Sequence, residues 1–464
     1  MHRLNAGWGG IAVLAILGAI VAGEHAGAQA QDEAALIARA RAIHERVLTL
    51  DTHDDINPAN FTPSCNYTMR LTSQVNLPKM REGGLDVSFM IVFTGQGPLT
   101  QEGYDNAYRQ AIEKFDAIHR LTEQIAPQEI GLALSPDDVR RIEASGRKVA
   151  VIGIENGYPV GLDVRRVREF YERGGRYMSL AHNGHSQLSD SNTGEQDDQW
   201  LYGGLSPLGR QVIAEMNRLG MMIDVSHPSK GSMMQAVALS RAPIIASHSS
   251  ARKLGNHSRN LDNESLMAIK QNGGVVQTVA FSSYLKVDPP QRGEAIAALR
   301  REFGLAGPGA GGFGGPGPGG PPVERPCPVE GQPGAAARRS FPNPADALPA
   351  DRRAEYDRRL ADINRQWPAA GRATVSDFVD HIDYLVKLIG IDHVGISSDF
   401  DGGGGVEGWN SAAEAPNVTI ELVRRGYTEE QIAKLWGGNL LRVWGEVERV
   451  AKEIQAEGTR TAAR

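Results

Sequence analysis

The chain has 464 residues, of which 41% are hydrophobic and 22% charged, a composition that excludes wholesale disorder and allows a large buried core. Its formal net charge of −6 lacks the basic excess typical of nucleic-acid-binding proteins, so no nucleic-acid partner is expected. Two cysteines are too few for a disulfide-rich scaffold or a cysteine-rich zinc site.

Residues 1–30 have the pattern of a secretory signal peptide. Arg3 precedes an apolar run from Ile11 to Ala22, and small residues follow at 26–30. The apolar run is shorter than the roughly twenty residues that a membrane span needs. We therefore predict an exported protein, periplasmic or secreted, whose mature chain of residues 31–464 has no transmembrane span. The alternative is an uncleaved N-terminal anchor.

After a predicted amphipathic helix over Asp32–Val47, short apolar runs alternate with helical patterns, as in β-α-β units with a parallel sheet. The predicted strands are Val47–Asp51, Leu85–Phe93, Lys148–Ile154, Arg176–Leu180, Gly220–Val225, Pro243–Ala246, Gly274–Ala280 and His393–Ser397. The helices predicted between them include Tyr104–Ile125, Val160–Arg173, Pro207–Leu219, Lys230–Leu239, Glu264–Gln271 and Val375–Ile389. This pattern predicts an α/β fold, a (β/α)8 TIM-type barrel, with an open doubly wound sheet as the alternative.

One segment interrupts this alternation. From Gly304 to Pro322 nearly every residue is Gly or Pro, a composition of flexible loops that cannot form a packed core. A charged segment, Pro349 to Trp367, follows and is predicted to form a surface helix. We predict a long, partly flexible insertion over residues 282–373 between strands seven and eight, which serves either as a surface linker or as a lid over the active-site face.

Polar residues of the types that bind metal ions stand at the ends of five predicted strands. They are His53 and Asp55 after the first strand, Glu155 after the third, His227 after the fifth, His248 after the sixth and Asp399 after the eighth. His53 and Asp55 are two residues apart and point to the same side in extended backbone. Because the C-terminal ends of barrel strands meet at one mouth, this set predicts a metal site there.

These motifs and their order resemble the membrane (renal) dipeptidase family, whose members are binuclear zinc peptidases on amidohydrolase-type barrels. The resemblance covers nearly all of residues 45–450 outside the insertion. The matching runs are Leu50–Asp55, Asn76–Gly84, Gly153–Gly157, Asp224–His227, Ser247–Ala251, Asn256–Asn260 and His393–Gly402.

The resemblance implies a centre of two zinc ions per chain. His53 and Asp55 are expected to bind one zinc and His227 and His248 the second, while Glu155 bridges both. Hydrolysis is expected through a hydroxide that bridges the two metals. The metal carried in the cell stays open, because histidine and carboxylate ligands also accept cobalt and manganese.

The resemblance further implies three roles beside the metals. Asp399 is expected to accept the proton of the bridging water and pass it to the leaving amine. His182, after the fourth strand, is expected to contact the substrate and steady its oxyanion. Arg259 is expected to bind the free carboxylate of the substrate through its guanidinium fork, which restricts substrates to very short peptides.

The chain departs from the family pattern after His182. Family members commonly carry a Trp-containing stretch where this chain has His185-Ser186-Gln187-Leu188-Ser189-Asp190. The pocket for the substrate's side chains is therefore expected to differ. We interpret His185 as a pocket residue or a neighbour of the ligands rather than as a ligand.

Together these features predict an exported zinc metallo-dipeptidase that hydrolyses dipeptides with a free C-terminal carboxylate. One alternative is an amidohydrolase for another small amide, such as a lactam, cyclic amide or N-acyl amino acid. The other is a non-enzymatic binding module that uses the Gly/Pro-rich segment. The resemblance alone also suggests a homodimer. Cys65 and Cys327 lie in loops expected on the upper face of the barrel, and oxidising conditions outside the cell favour a disulfide between them.

Overall fold

A computed structural model describes residues 31–305, 327–332 and 344–462. The strands are β1 (Leu50–Asp55), β2 (Phe61–Thr62), β3 (Cys65–Asn66), β4 (Val87–Phe93), β5 (Ile130–Leu132), β6 (Lys148–Glu155), β7 (Gly175–Ser179), β8 (Met222–Asp224), β9 (Ile245–Ala246), β10 (Val275–Val279) and β11 (Val394–Ser397). Eight of them pair in parallel in the order β1-β4-β6-β7-β8-β9-β10-β11. The backbone N–H of Asp55 donates to the carbonyl of Phe400 at 2.8 Å, which brings the two ends of this sheet together. The result is the predicted barrel, nearly closed.

One helix precedes the first barrel strand, and other helices follow most of the barrel strands. They are α1 (residues 31–44), α2 (Leu77–Glu82), α3 (Gln101–Arg120), α4 (Pro136–Glu143), α5 (Arg165–Glu172), α6 (Pro207–Leu219), α7 (Lys230–Leu239), α8 (Asn263–Asn272), α9 (Ser282–Leu285), α10 (Pro290–Glu302), α11 (Ala350–Gln366), α12 (Val375–Ile389), α13 (Pro416–Arg424), α14 (Glu429–Ala433) and α15 (Asn439–Ala462). Among the described residues, no helix is both long and apolar enough to cross a membrane.

Short polar side chains fix where several helices begin. Ser206, Ser229 and Asp262 each accept a hydrogen bond from a backbone N–H in the first turn of α6, α7 and α8. Thr374 and Asp377 form a reciprocal capping box at the start of α12. Such caps satisfy N–H groups that have no partner inside the helix. They set the helix starts directly after the loops that leave the barrel mouth.

The barrel interior is filled by every second residue of each strand, as the alternation of side chains along a strand requires. In β4 these residues include Val87, Phe89 and Ile91, which share one buried cluster with residues of β6 to β10. Trp444 of α15 belongs to the same cluster and its ring lies 6.3 Å from that of Phe89. Helix α15 therefore covers the end of the barrel from which the strands start, and the opposite end is left for the site.

The predicted helices and strands are found, with some shifted ends. Strand β1 runs from Leu50 to Asp55 rather than from Val47 to Asp51, because its second half is polar and does not show as an apolar run. Helix α5 starts at Arg165 rather than at Val160, since a 3-10 turn precedes Gly161, whose φ of +59° lies in the left-handed region. The sequence patterns above include neither β5 nor the helices after residue 415.

Within residues 282–373, the described part of the chain contains the helices α9, α10 and α11, and α12 follows before β11. The predicted surface helix over Pro349–Trp367 corresponds to α11. It packs against α10, with the rings of Phe303 and Tyr356 5.4 Å apart. The predicted signal peptide and nearly all of the Gly/Pro-rich run lie outside the described residues, so the roles of linker and lid stay predictions.

Cys65 and Cys327 form a disulfide, as hypothesised from their loops, with their Cα atoms 5.4 Å apart. The bond fastens residues 327–332 to the segment that follows β1. Leu71 and Val329 form an antiparallel bridge beside it, and Glu330 pairs with Arg70 at 2.8 Å. The segment between β1 and α2 is thus covalently tied to the connection between β10 and β11.

Candidate active site

The structure brings the predicted metal-binding residues together at the C-terminal end of the barrel. Five of them are buried: His53 and Asp55 at the end of β1, Glu155 at the end of β6, His227 after β8 and His248 after β9. They lie far apart in the sequence, and the barrel brings their ligand atoms into neighbouring groups that could each hold a metal ion. The convergence follows from parallel strands that all end at one face.

Glu155 stands at the centre of this cluster. Its Oε1 lies 2.9 Å from Nε2 of His227 and 3.3 Å from Nε2 of His248. Its other oxygen, Oε2, lies 3.5 Å from Nε2 of His53. Burial alone would raise the pKa of Glu155, but the surrounding histidines together hold that pKa well below its usual range. The ionised carboxylate therefore offers one oxygen to each of two groups of ligands.

Asp55 and Asp399 complete the side of the cluster that faces His53. Nε2 of His53 is 3.9 Å from Oδ2 of Asp55, and the ligand atoms of these three residues all lie within 4.8 Å of one another. Burial, Glu155 and Asp55 raise the pKa of Asp399 well above its usual range, against the opposing effect of His53. Several carboxylates this close repel one another unless a cation lies between them.

Two ligand candidates are oriented from behind by hydrogen bonds. Nδ1 of His53 lies 2.9 Å from the hydroxyl of Tyr177, and Nδ1 of His248 lies 2.8 Å from the hydroxyl of Ser247. Ser247 donates in turn to Asp224 at 2.7 Å. Fixing one imidazole nitrogen in this way directs the other nitrogen into the site.

This donor set fits a pair of divalent metal ions. Imidazole nitrogens and carboxylate oxygens are the ligands that zinc and related ions accept. Nε2 of His53 is buried and has no hydrogen-bond partner within the described part of the chain. This nitrogen faces the carboxylates of Asp55 and Glu155, and among the described residues no lysine or arginine lies between the nitrogen and the carboxylates. A cation bound there would explain the arrangement.

His182, after β7, lies at the edge of the cluster. Its Nε2 is 3.7 Å from Oε1 of Glu155, and the centre of its ring lies 4.7 Å from that of Phe93 and 4.1 Å from that of His227. Burial and the charge of Arg259 lower the pKa of His182 to about 4. The imidazole is therefore neutral at pH 7 and can donate one hydrogen bond into the cavity. A ring nitrogen of His182 also lies close enough to the ligand atoms of Glu155 and His227 for the three residues to hold a metal ion.

Arg259 is 2% exposed and lies in the loop between β9 and α8. Nη2 donates to the carbonyl of His248 at 3.2 Å, whereas Nε and Nη1 have no hydrogen-bond partner among the described residues. Its guanidinium carbon stands 5.6 Å from the centre of the Tyr284 ring. An unpaired buried cation is costly, so the two nitrogens are suited to an anion that enters from outside.

Gly402 allows Asp55 and Asp399 to approach the backbone after β11. A Cβ atom at position 402 would lie 2.2 Å from Oδ1 of Asp399 and 2.4 Å from Oδ2 of Asp55. Any side chain there would displace both carboxylates. Asp399 itself has a φ of +58°, in the left-handed region that few residues other than glycine adopt.

The cavity in front of the cluster has walls that the sequence motifs do not single out. Of the predicted residues, Asp55, Glu155, His182, His227 and Asp399 line it, and the other lining residues are Phe93, Asn183, Tyr284 and Gly402. Tyr177 and Ser247, which orient the ligands, also carry no signal of their own in the sequence. His185 is not part of this lining, and its Nδ1 accepts a hydrogen bond from the backbone of Ser191 at 3.0 Å. Its predicted place in the pocket stays a prediction.

The chain is similar in sequence and in structure to known peptidases. The sequence profile of the membrane dipeptidases (peptidase family M19) matches residues 37–458. The crystal structure of the probable dipeptidase PvdM from Pseudomonas aeruginosa superposes with a TM-score of 0.72 at 35% identity, over 89% of this chain and 99% of that one. Dipeptidase aclJ of Aspergillus oryzae is 28% identical over 401 residues, which are 85% of this chain and 74% of aclJ. A metallopeptidase from Rhodobacter sphaeroides, liganded with a phosphinate mimic of the dipeptide L-Ala-D-Ala, shares the fold with a TM-score of 0.60 at 20% identity, over 86% of this chain and 99% of that one.

Proposed function

Because the chain belongs to the membrane dipeptidase family, a family of metallopeptidases, we propose that it is an exported zinc dipeptidase for dipeptides with a free C-terminal carboxylate. The observation that carries the substrate class is the buried Arg259, whose Nε and Nη1 have no partner among the described residues. This guanidinium lies beside the metal-ligand cluster through its contact with His248. A fixed anion site one residue away from the cleaved bond selects short peptides.

The two oxygens of Glu155 face different residues, and this divides the proposed metal ligands into two groups. His53 and Asp55 would hold one zinc, His227 and His248 the second, and Glu155 would give one oxygen to each. When bound, the zinc ions would polarise the substrate carbonyl and supply a water that loses its proton near neutral pH. Tyr177 and Ser247 keep the imidazoles of His53 and His248 turned toward the ions.

Three further residues act on the dipeptide itself. Arg259 binds the C-terminal carboxylate in bidentate fashion and so fixes the position of the peptide bond. His182 donates a hydrogen bond to the carbonyl oxygen as negative charge develops on it. Asp399, on the cavity wall, takes a proton from the attacking water and returns it to the leaving amine. His182 acts in the neutral form that its surroundings favour, whereas Asp399 has to be ionised, a form that the positive charge of two bound zinc ions would favour.

Export and assembly have separate support. The signal-peptide pattern of residues 1–30 and the disulfide between Cys65 and Cys327 both suit an oxidising compartment outside the cytoplasm. The homodimer rests on the resemblance to the family alone.

The decisive experiment measures metal content and dipeptide hydrolysis on the same sample of purified mature protein. We expect about two zinc ions per chain, loss of activity on chelation and recovery on adding zinc. Bound metal without dipeptide turnover would indicate that the site hydrolyses another amide substrate. Absence of any bound metal would contradict the proposal at its centre.

A second experiment separates a dipeptidase from an amidohydrolase of neutral amides. It compares Arg259→Gln with the unaltered protein on a dipeptide and on the same dipeptide with an amidated C-terminus. We expect kcat/KM for the free acid to fall about 100-fold in the variant, because two charge-assisted hydrogen bonds are lost. The amidated substrate should be hydrolysed poorly by both proteins. Equal losses of kcat/KM on both substrates would show that Arg259 does not bind the substrate's carboxylate.

A further inference from the structure

The segment after β11 holds Asp399 in a strained turn. Asp399 and Asp401 both have a φ of +58°, although neither is glycine. The carbonyl of Asp399 accepts hydrogen bonds from the backbone N–H groups of Gly402 at 3.2 Å and Gly404 at 2.8 Å. The left-handed region is less favourable for aspartate than for glycine, and two such residues so close together persist where their surroundings hold them.

One residue outside the cavity makes several of the contacts that hold this turn. Oε1 of Gln74 accepts the backbone N–H of Asp401 at 2.8 Å, and Nε2 of Gln74 donates to the carbonyl of Gly404 at 3.1 Å. Nε2 also donates to the carbonyl of Asn410 at 2.8 Å. A single amide side chain thus fastens three points of the segment from residue 401 to residue 410.

The backbone around Gln74 adds a second set of bonds to the same turn. The N–H of Gln74 lies 3.0 Å from each carboxylate oxygen of Asp401, and the N–H of Val75 lies 3.3 Å from Oδ2. Both the side chain and the main chain at residue 74 therefore face Asp401. Gln74 does not line the cavity, so it cannot act on the substrate directly.

We propose that Gln74 is a positioning residue for the hydrolytic reaction, holding the Asp399–Gly404 turn so that the carboxylate of Asp399 stays on the cavity wall. The inference rests on the proposed function, in which Asp399 moves a proton. Its physical basis is that a strained turn relaxes when its external hydrogen bonds are removed. A shift of about 1 Å in a proton acceptor is enough to slow a reaction by about 100-fold.

The test compares Gln74→Met, which keeps the side-chain volume and removes the amide bonds, with a matched control. Gln235 provides the control, because its amide joins another loop: Nε2 donates to the carbonyl of Gly203 at 3.0 Å and Oε1 accepts the N–H of Leu205 at 3.1 Å. For Gln74→Met we expect kcat to fall about 10- to 100-fold, with KM within about twofold and metal content unchanged. Gln235→Met should keep the kcat of the unaltered protein.

Hydrogen exchange gives a readout that does not depend on activity. Peptides covering residues 399–410 should exchange faster in Gln74→Met and at the unaltered rate in Gln235→Met. If the unaltered protein hydrolyses no dipeptide, the proposed function fails, whereas selective exchange over this segment would still support that Gln74 holds the turn. The inference is overturned by an active Gln74→Met with normal kcat, by a loss that tracks lost metal, or by an equal loss in Gln235→Met.

A conservative variant separates positioning from general stability. Gln74→Glu keeps an oxygen that can accept the N–H of Asp401 but loses the two bonds that Nε2 donates. The new carboxylate oxygen would face the carbonyls of Gly404 and Asn410 and lie near the carboxylate of Asp401, so we expect a kcat no higher than that of Gln74→Met. A kcat equal to that of the unaltered protein would contradict the assignment of the turn to the bonds that Nε2 donates.

Discussion

The hydroxyl of Tyr177 donates to the carbonyl of Thr52 at 3.0 Å and at the same time lies 2.9 Å from Nδ1 of His53. A phenol has one proton, so the proton between the two side chains belongs to His53. Nδ1 of His53 is therefore the donor and Nε2 keeps its lone pair for a metal ion. Ser247 acts in the same way on His248, since its own proton is directed to Asp224.

Removing the Tyr177 hydroxyl should weaken metal binding without dismantling the site. For Tyr177→Phe we expect the affinity for zinc to fall about tenfold or more, because His53 loses the partner that fixes its tautomer. Competition with a chelator of known affinity measures the change. Tyr158→Phe is the control, since that hydroxyl bonds to the carbonyl of Pro98 at 2.6 Å, away from the ligands. Equal affinities in both variants would contradict the orienting role.

Asp399→Asn should separate proton transfer from metal binding. The amide has nearly the same size as the carboxylate but accepts no proton, so we expect kcat to fall at least about 100-fold. Zinc content should stay the same, because the proposed ligands are retained. Metal analysis and steady-state kinetics on one preparation check both statements. A variant that remained fully active would assign the proton transfer to a different group.

The disulfide should contribute strongly to stability because it closes a very long loop. Cys65 and Cys327 are 262 positions apart, so the bond restricts a large part of the unfolded chain. We expect the double variant Cys65→Ser, Cys327→Ser to lose about 2 to 4 kcal/mol in urea unfolding. Thiol titration of the denatured protein should find no reactive cysteine without reductant and two with it. Titres that do not change with reductant would refute the bond.

His381 should make the folded state sensitive to acid. It is 2% exposed, and its Nδ1 accepts the backbone N–H of Ala251 at 3.2 Å, which requires the neutral ring. Burial lowers its pKa from 6.5 to about 4. Between these values the unfolded chain binds the additional proton, so stability falls as pH falls through this window.

The measurable consequence is a difference in slope. From pH 7 to pH 5, His381 alone should reduce the free energy of unfolding by about 2 kcal/mol. For His381→Gln, which can still accept the N–H of Ala251, the free energy of unfolding should fall by about 2 kcal/mol less over the same interval. For each protein, the change is measured from its own stability at pH 7. Identical slopes in the two proteins would show that His381 is not buried in its neutral form.

The sequence predicts the barrel well because its strands carry two separable signals. Apolar residues in short runs mark the buried strands, and a polar residue such as Glu155 marks the point where a run reaches the mouth. The end of β1 is misplaced for the same reason, since its polar half, which contains His53 and Asp55, lacks the apolar signal. The proposed ligands can be identified in advance only because they stand where strands end.

Residues that act on the site through contacts with distant segments show no such pattern in the sequence. Tyr177 sits within a strand, and its place behind His53 depends on Gly153 in the neighbouring strand, where a Cβ would lie 2.3 Å from the tyrosine ring. Gln74 belongs to a loop 327 positions before Asp401. Neither relationship has a spacing or a period that a linear pattern could show.

By itself, the sequence determined the α/β barrel, the family and the set of polar residues at the strand ends, because periodicity and local motifs encode which face of each element is buried. The tertiary structure alone decided that Glu155 turns one oxygen to each side of the cluster, that Arg259 is buried with two unpaired nitrogens, and that Asp399 stands in a turn held by Gln74. These are contacts between segments distant in the chain, and their distances are set by how the strands curve and pack.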